Sequence, residues 1–179
     1  MSAVTPIPSP ARGLTGVLKR LGAGCYDGLL VGGLLMVATG LATYFTRPAD
    51  GATALQAYPH RLLYQLVALA VIVLYFGISW TTKGQTLGMK AWRLRLLAAD
   101  GAIPDWRHAL LRLLFALPLW LAPVAGLFLY MRHAVSAQWA SLAALPLAIS
   151  LLSGWASGVT LHDRASSTRV TPLGPADKG

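Results

Sequence analysis

The chain has 179 residues, 55% of them hydrophobic and only 12% charged, with a mean hydropathy of +0.57. A soluble domain carries about a quarter charged residues, so these values exclude an ordinary soluble fold and indicate one membrane-embedded domain. The formal net charge of +9 comes from fifteen Lys and Arg against six acids. The basic residues lie between apolar runs rather than in one patch, so they are assigned to anionic lipid head groups and not to nucleic acid.

Residues 1–18 contain Pro6, Pro8 and Pro10 and are expected to form a flexible tail, with no signal-peptide layout. A membrane domain over 19–171 and a short tail over 172–179 follow. Four uncharged runs fall inside the domain: 19 residues between Asp27 and Arg47, 21 between Arg61 and Lys83, 19 between Arg112 and Arg132, and 23 from Trp139 to Leu161. A spanning helix needs about 20. The expected fold is all-α, with four transmembrane helices near 20–45, 62–82, 109–131 and 138–161. Twelve Lys and Arg fall on the side of the two tails and the 83–107 loop, and three on the other. The positive-inside rule then puts both termini in the cytoplasm. Tyr44, Phe45, Tyr64, Trp80, Tyr130 and Trp139 stand at span ends, where aromatic rings anchor at head-group level. Pro118 and Pro123 are expected to bend the third span.

Gly24, Gly28 and Gly32 in the first span, and Ser150, Gly154 and Gly158 in the fourth, repeat at every fourth position. Small residues at that spacing let helices approach closely in lipid. Facing Gly24 with Gly158 and Gly28 with Gly154 predicts packing of span one on span four, and brings Arg20 near Asp163. The same glycines could instead face a second copy in a homodimer.

The loop KGQTLGMKAWRLRLLAADGAIPDWR, residues 83–107, alternates Trp92, Leu94 and Leu96 with Arg93 and Arg95, the period of a half-buried strand. Asp100-Gly101 is a hairpin turn signal, and Pro104 limits the second strand. A small cytoplasmic hairpin at the membrane surface is expected between helices 2 and 3. An interfacial amphipathic helix, with Lys90 and Arg93 reaching head groups, is the competing reading.

Chemistry concentrates in few side chains. Asp27 lies inside the first span, where a carboxylate costs about 2.5–3.5 kcal/mol and needs a partner or a task. It can bind a proton or a cation in turn, or it can be satisfied structurally by Arg20, Arg112 or hydroxyls. Asp163, read as the end of span four, opposes the helix dipole and calls for a cation, Arg20 first and Arg112 second. Arg20, Asp27, Arg112 and Asp163 are thus expected to form one charged cluster. His162 adjoins it; His60, His108 and His133 are scattered without metal-ligand spacing. Cys25, alone, excludes an internal disulfide and reads as a packing residue. No HExxH, GxSxG, Walker or CxxC pattern is present, so neither an enzyme, a metal site nor a cofactor is expected.

Three pieces line up in order: Arg20-x-x-Ala23-x-x-x-Asp27; Gly84-Gln85-Thr86-Leu87-Gly88-Met89-Lys90 with Asp100-Gly101 and Arg112 after it; and His162-Asp163-Arg164 with Thr168-Arg169-Val170 after it. Over residues 17 to 171 this resembles the RDD family of small bacterial membrane proteins, named for one arginine and two aspartates, matched here by Arg20, Asp27 and Asp163. Met89 before Lys90 and the pair Ser166-Ser167 depart slightly from that pattern. The resemblance implies a polytopic inner-membrane protein and, for some relatives, exchange of Na⁺ or other cations for protons. Two functions therefore stand: an exchanger or small-solute transporter using Asp27, completed by homo-oligomerisation, and a non-transporting scaffold or accessory subunit whose charged cluster is structural.

Overall fold

The computed structural model of the chain describes residues 12–45 and 58–173. The proline-bearing start of the first tail, the loop holding Arg47 and Asp50, and residues 174–179 lie outside the described residues. Helix α1 runs Gly13–Phe45, α2 Tyr58–Lys83, α3 Leu87–Ala91, α4 Trp106–Met131, α5 Ala137–Leu142, α6 Leu145–Ser157 and α7 Leu161–Ala165. Two short strands, β1 Leu94–Ala98 and β2 Thr168–Pro172, complete the order. The protein is mostly helical, and four segments are long and apolar enough to cross a membrane: Gly13–Phe45, Leu62–Lys83, Trp106–Met131 and Ala137–Ser157. Helix α1 already begins at Gly13, inside the expected tail. The fourth segment is two helices rather than one, because Pro146 in the first turn of α6 has no N–H to return to the preceding turn. Helix α4 continues through both Pro118 and Pro123.

The four long segments form a ring in which α1 touches α2 and α6, and α4 touches α2 and α6. Leu29, Met36, Val37, Leu114, Leu127 and Leu152 point outward and are exposed, the arrangement expected when lipid covers the bundle. The buried core sits at one end of the ring. There Ala23, Trp80, Met89, Leu94, Leu96, Ala109, Leu113 and Val170 pack together, with Leu94 and Leu96 wholly buried. Arg20 of α1 donates to the carbonyl of Val170 in β2, so both described ends of the chain lie at this same end.

The expected hairpin is not formed. Strand β1 has the predicted alternation, with Leu94, Leu96 and Ala98 buried, but it pairs antiparallel with β2 at the far end of the chain. Asp100-Gly101 does turn the backbone, with Ala102 N–H donating to the Asp100 carboxylate at 2.9 Å. Beyond it, Pro104 cannot donate to a ladder and the chain leaves for α4.

The pairing shows an internal repeat. Leu96 lies opposite Val170, and these residues occupy equivalent places in two copies of one unit. In each copy a long helix ends at a left-handed glycine, Gly84 (φ 64°) or Gly158 (φ 76°). A threonine cap follows, Thr86 (φ −80°, ψ 170°) or Thr160 (φ −81°, ψ 169°), then a five-residue helix, α3 or α7. A left-handed residue, Arg93 (φ 53°) or Ser167 (φ 49°), then starts the strand. The sequences Thr86-Leu87-x-x-Lys90-Ala91 and Thr160-Leu161-x-x-Arg164-Ala165 carry the match. The flanking ladder bonds are symmetric too: Leu173 N–H donates to Arg93 O and Ala99 N–H to Ser167 O, each at 2.9 Å. The two caps are therefore related by a local two-fold at the Leu96–Val170 pair, and the longer helices precede them in the same order, α1 and α2 before α3, α4 and α6 before α7.

Glycine placement separates two kinds of position. A Cβ at Gly84 would lie 2.6 Å from the Leu96 carbonyl on a backbone that L side chains rarely adopt, whereas one at Gly28 meets nothing within 4 Å. Gly84→Ala is expected to lower the melting temperature in detergent by an amount equivalent to about 1–3 kcal/mol. Gly28→Ala is expected to leave it level or raise it by the helix-propensity gain of about 1 kcal/mol.

Candidate functional site

The charged residues separate into two sites rather than one cluster. Asp163 has a fully buried side chain and lies between two arginines. Arg20 Nη1 donates to its Oδ2 at 2.8 Å, and Arg112 Nη1 donates to its Oδ1 and, at 2.9 Å, to the Thr168 hydroxyl. Arg20 Nη2 also donates to the carbonyls of Gly158 and Val170. Both arginines that the sequence nominated for Asp163 thus reach it together. The reason differs from the expected one. Asp163 is not at the C-terminus of span four. Helix α6 ends at Ser157, and Asp163 is the third residue of α7, where it accepts the Thr160 N–H at 3.0 Å in a capping box. A carboxylate is favourable there. Its position allows Arg112 to be buried under protein instead of reaching head groups.

Asp27 stands apart from the arginines. Its Oδ1 accepts the Tyr75 hydroxyl at 2.7 Å and the Gly88 N–H at 2.8 Å, and its Oδ2 accepts the Thr86 hydroxyl at 2.5 Å. Three donors satisfy the buried carboxylate without a cation. Thr86 in turn accepts Met89 N–H at 3.1 Å, so Asp27 of α1 holds both the start of α3 and the middle of α2. Gly88 makes this possible: a Cβ there would strike the Ala23 carbonyl and the Asp27 carboxyl group. Tyr75, Thr86 and Gly88 were not marked as partners of Asp27 by spacing. The signal that could have found Thr86 is its twin Thr160, one repeat later.

Between the helices lies a cavity of about 400 Å³. Gly24, Gly28 and Gly32 form one wall, Phe76 and Leu117 stand among the others, and Arg20, Asp27, Trp80 and Arg112 line it as well. This corrects the reading of the glycines. Helix α1 does pack on α6, but Gly28 and Gly32 face open space, a Cβ at Gly24 would meet the Trp120 ring at 3.4 Å, and Gly158 is the left-handed end of α6. Only Gly154 is close to the partner side, where a Cβ would meet Thr160 and approach Arg20 Nη1. Ser150 is buried and accepts Leu161 N–H at 3.3 Å. Two expected anchors are also interior: Trp80 is buried, and Tyr64 donates to the Thr43 hydroxyl at 3.0 Å. Tyr44, Tyr130 and Trp139 are exposed at helix ends. Among the described residues no group of three His, Cys or acidic side chains could hold a metal ion.

Burial, then the neighbouring Arg112 charge, pushes the His162 imidazole down to about 3, although Asp163 pulls the other way. Burial opposes the charge on Asp163, but Arg112 and Arg20, with the Thr160 N–H, hold it well below the usual carboxylate range. The folded protein keeps His162 neutral where the unfolded chain takes up a proton near pH 6.5. Stability is therefore complete above that pH and declines as pH falls from 6.5 towards 3, with Asp163 adding to the loss at the acid end. Thermal unfolding in detergent should show a melting temperature that falls between pH 7 and 5, and His162→Gln should flatten that decline. Asp163→Asn leaves two buried guanidinium groups without a counter-charge and is expected to cost about 3–5 kcal/mol in the same assay at pH 7.5.

No curated protein and no solved structure matches the chain. A family model does, that of the RDD family, over residues 14–167, a stretch that contains Arg20, Asp27, Asp163, α3, α7 and, but for Gly13, all four apolar segments. By that match over most of its length, the chain belongs to the RDD family of membrane proteins.

Proposed function

We propose that the chain is a small-solute transporter of a bacterial cytoplasmic membrane, with both termini in the cytoplasm and with Asp27 coupling a proton or cation to conformation. The observation that carries this reading is the position of Asp27. It lines a cavity between two repeated halves, and its carboxylate ties α1 to α2 and α3. Transporters built from parallel repeats use the same arrangement, with the solute site where the halves meet. The distribution of twelve Lys and Arg against three supports the orientation.

The coupling follows from hydrogen-bond inventory. An ionised Asp27 accepts from three donors at once. A proton on Oδ1, which accepts twice, displaces one of its two donors, and a proton on Oδ2 weakens that oxygen as the acceptor of Thr86. A cation approaching from the cavity competes for the same oxygens. Either event weakens the hold of α1 on α3, and α3 belongs to the cap that closes this end of the bundle. The scaffold reading draws its support from a different observation: Arg20 and Arg112 both bond to Asp163, a lock that joins α1, α4 and α7.

Reconstituted protein with an internal pH dye tests the choice. Na⁺, K⁺ or Li⁺ gradients should drive proton flux in the wild type, and Asp27→Asn should abolish it while the melting temperature shows a folded protein. Absence of wild-type flux under all three gradients sinks the exchange reading and leaves the scaffold.

A further inference from the structure

We infer that the cavity is a binding site for a single-chain amphiphile with a carboxylate head, received by Trp80, Arg20 and Arg112. The inference rests on the cavity used in the transport reading, but binding is measured apart from flux. Three buried side-chain atoms have no hydrogen-bond partner among the described residues: Arg20 Nε, Arg112 Nε and Trp80 Nε1. All three are N–H donors, and all three residues line the same cavity. The Arg20 and Arg112 side chains are only 10% and 5% exposed, and the Arg112 guanidinium lies 5.3 Å from the centroid of the Trp80 ring. Buried polar atoms are satisfied in nine cases of ten or more, so three orphan donors on residues that line one cavity point to a missing acceptor.

Charge selects the kind of acceptor. Arg20 and Arg112 carry two positive charges against the single carboxylate of Asp163. Asp27 shares the cavity wall, but its oxygens are taken by Tyr75, Thr86 and Gly88. Two of the three free donors are guanidinium N–H groups, whose strongest partner is an anion that only accepts hydrogen bonds, and a carboxylate is such a group. The rest of the cavity is apolar. Gly28 and Gly32 leave open wall on α1, where a Cβ at either would meet nothing within 4 Å. A volume of about 400 Å³ falls at the lower end of the range of ~300–1,000 Å³ for small-molecule sites. It suits one short alkyl chain.

The test uses the full chain in nanodiscs of zwitterionic phospholipid, titrated with 11-bromoundecanoate. Bromine at the chain end quenches tryptophan, and both Trp80 and Trp120 line the cavity. Saturable quenching is expected, with 11-bromoundecanol weaker by at least about tenfold because it forgoes charge-assisted bonds to the arginines. Gly28→Leu fills open space without touching the arginines and should remove the saturable component in a protein of unchanged melting temperature. Equal binding of acid and alcohol would show an apolar cavity without head-group recognition and overturn the inference. Quenching that never saturates, or that survives Gly28→Leu, places the probe in the bilayer and overturns it as well. Saturable binding without ion flux keeps this site and removes the transport reading; flux without such binding does the reverse.

Discussion

Asp163, buried between Arg20 and Arg112, is the interaction on which the rest of the structure depends. It lies on a five-residue helix that could not stand alone in water. Its two partners come from α1 and α4, so one carboxylate joins the first long helix, the third and the closing cap. Burying an ion pair costs desolvation that the attraction barely repays, and such groups then specify arrangement more than they add stability. Here the arrangement is particular: Arg20 also reaches Gly158 and Val170, and Arg112 reaches Thr168. With these bonds made, β2 lies against β1 and next to α1.

The same cap is built twice, and the two copies have diverged where the acid sits. In the second copy the acid is within the short helix, as Asp163. In the first, its equivalent position is Met89, and the carboxylate arrives from α1 as Asp27. Each solution requires its own neighbour. Asp27 reaches α3 only because Gly88 has no side chain, whereas the matching residue in α7 is His162, held neutral beside the arginines. A symmetric scaffold thus carries an asymmetric interior, cationic near Asp163 and anionic at Asp27, with one cavity touching both.

Much of this was legible in residues taken singly or in short runs. Uncharged stretches marked the four apolar segments because the bilayer sets their length, whatever they pack against. The alternation of Leu94 and Leu96 with Arg93 and Arg95 marked β1 because one face had to be buried. The pairing of Asp163 with Arg20 was legible because a lone acid beside the fourth span needs a cation and Arg20 starts the neighbouring first span, although Asp163 belongs to α7 and not to the end of the fourth span. The hairpin was not: Asp100-Gly101 is a local signal that makes a turn, while the true partner strand is a short Thr- and Arg-bearing segment with little hydrophobic pattern of its own. The single four-residue cluster failed for a similar reason. Two helical turns put Arg20 and Asp27 on one face of α1, but that face is long enough to meet two different neighbours, α7 and α3.

The sequence by itself determined that the chain lives in a membrane, where its four apolar segments lie, which strand of the cap is amphipathic and which few ionisable residues must find partners. These follow from transfer energies and side-chain periodicity, which are properties of each segment alone. Only the tertiary structure decided that β1 pairs across the chain, that Trp80 and Arg112 are buried together, that Asp27 is bound by Tyr75, Thr86 and Gly88, and that the glycines of α1 open a cavity instead of closing an interface. Those outcomes depend on which donors and which empty spaces from distant segments converge. A glycine stripe reads the same in sequence whether a helix or a void stands before it.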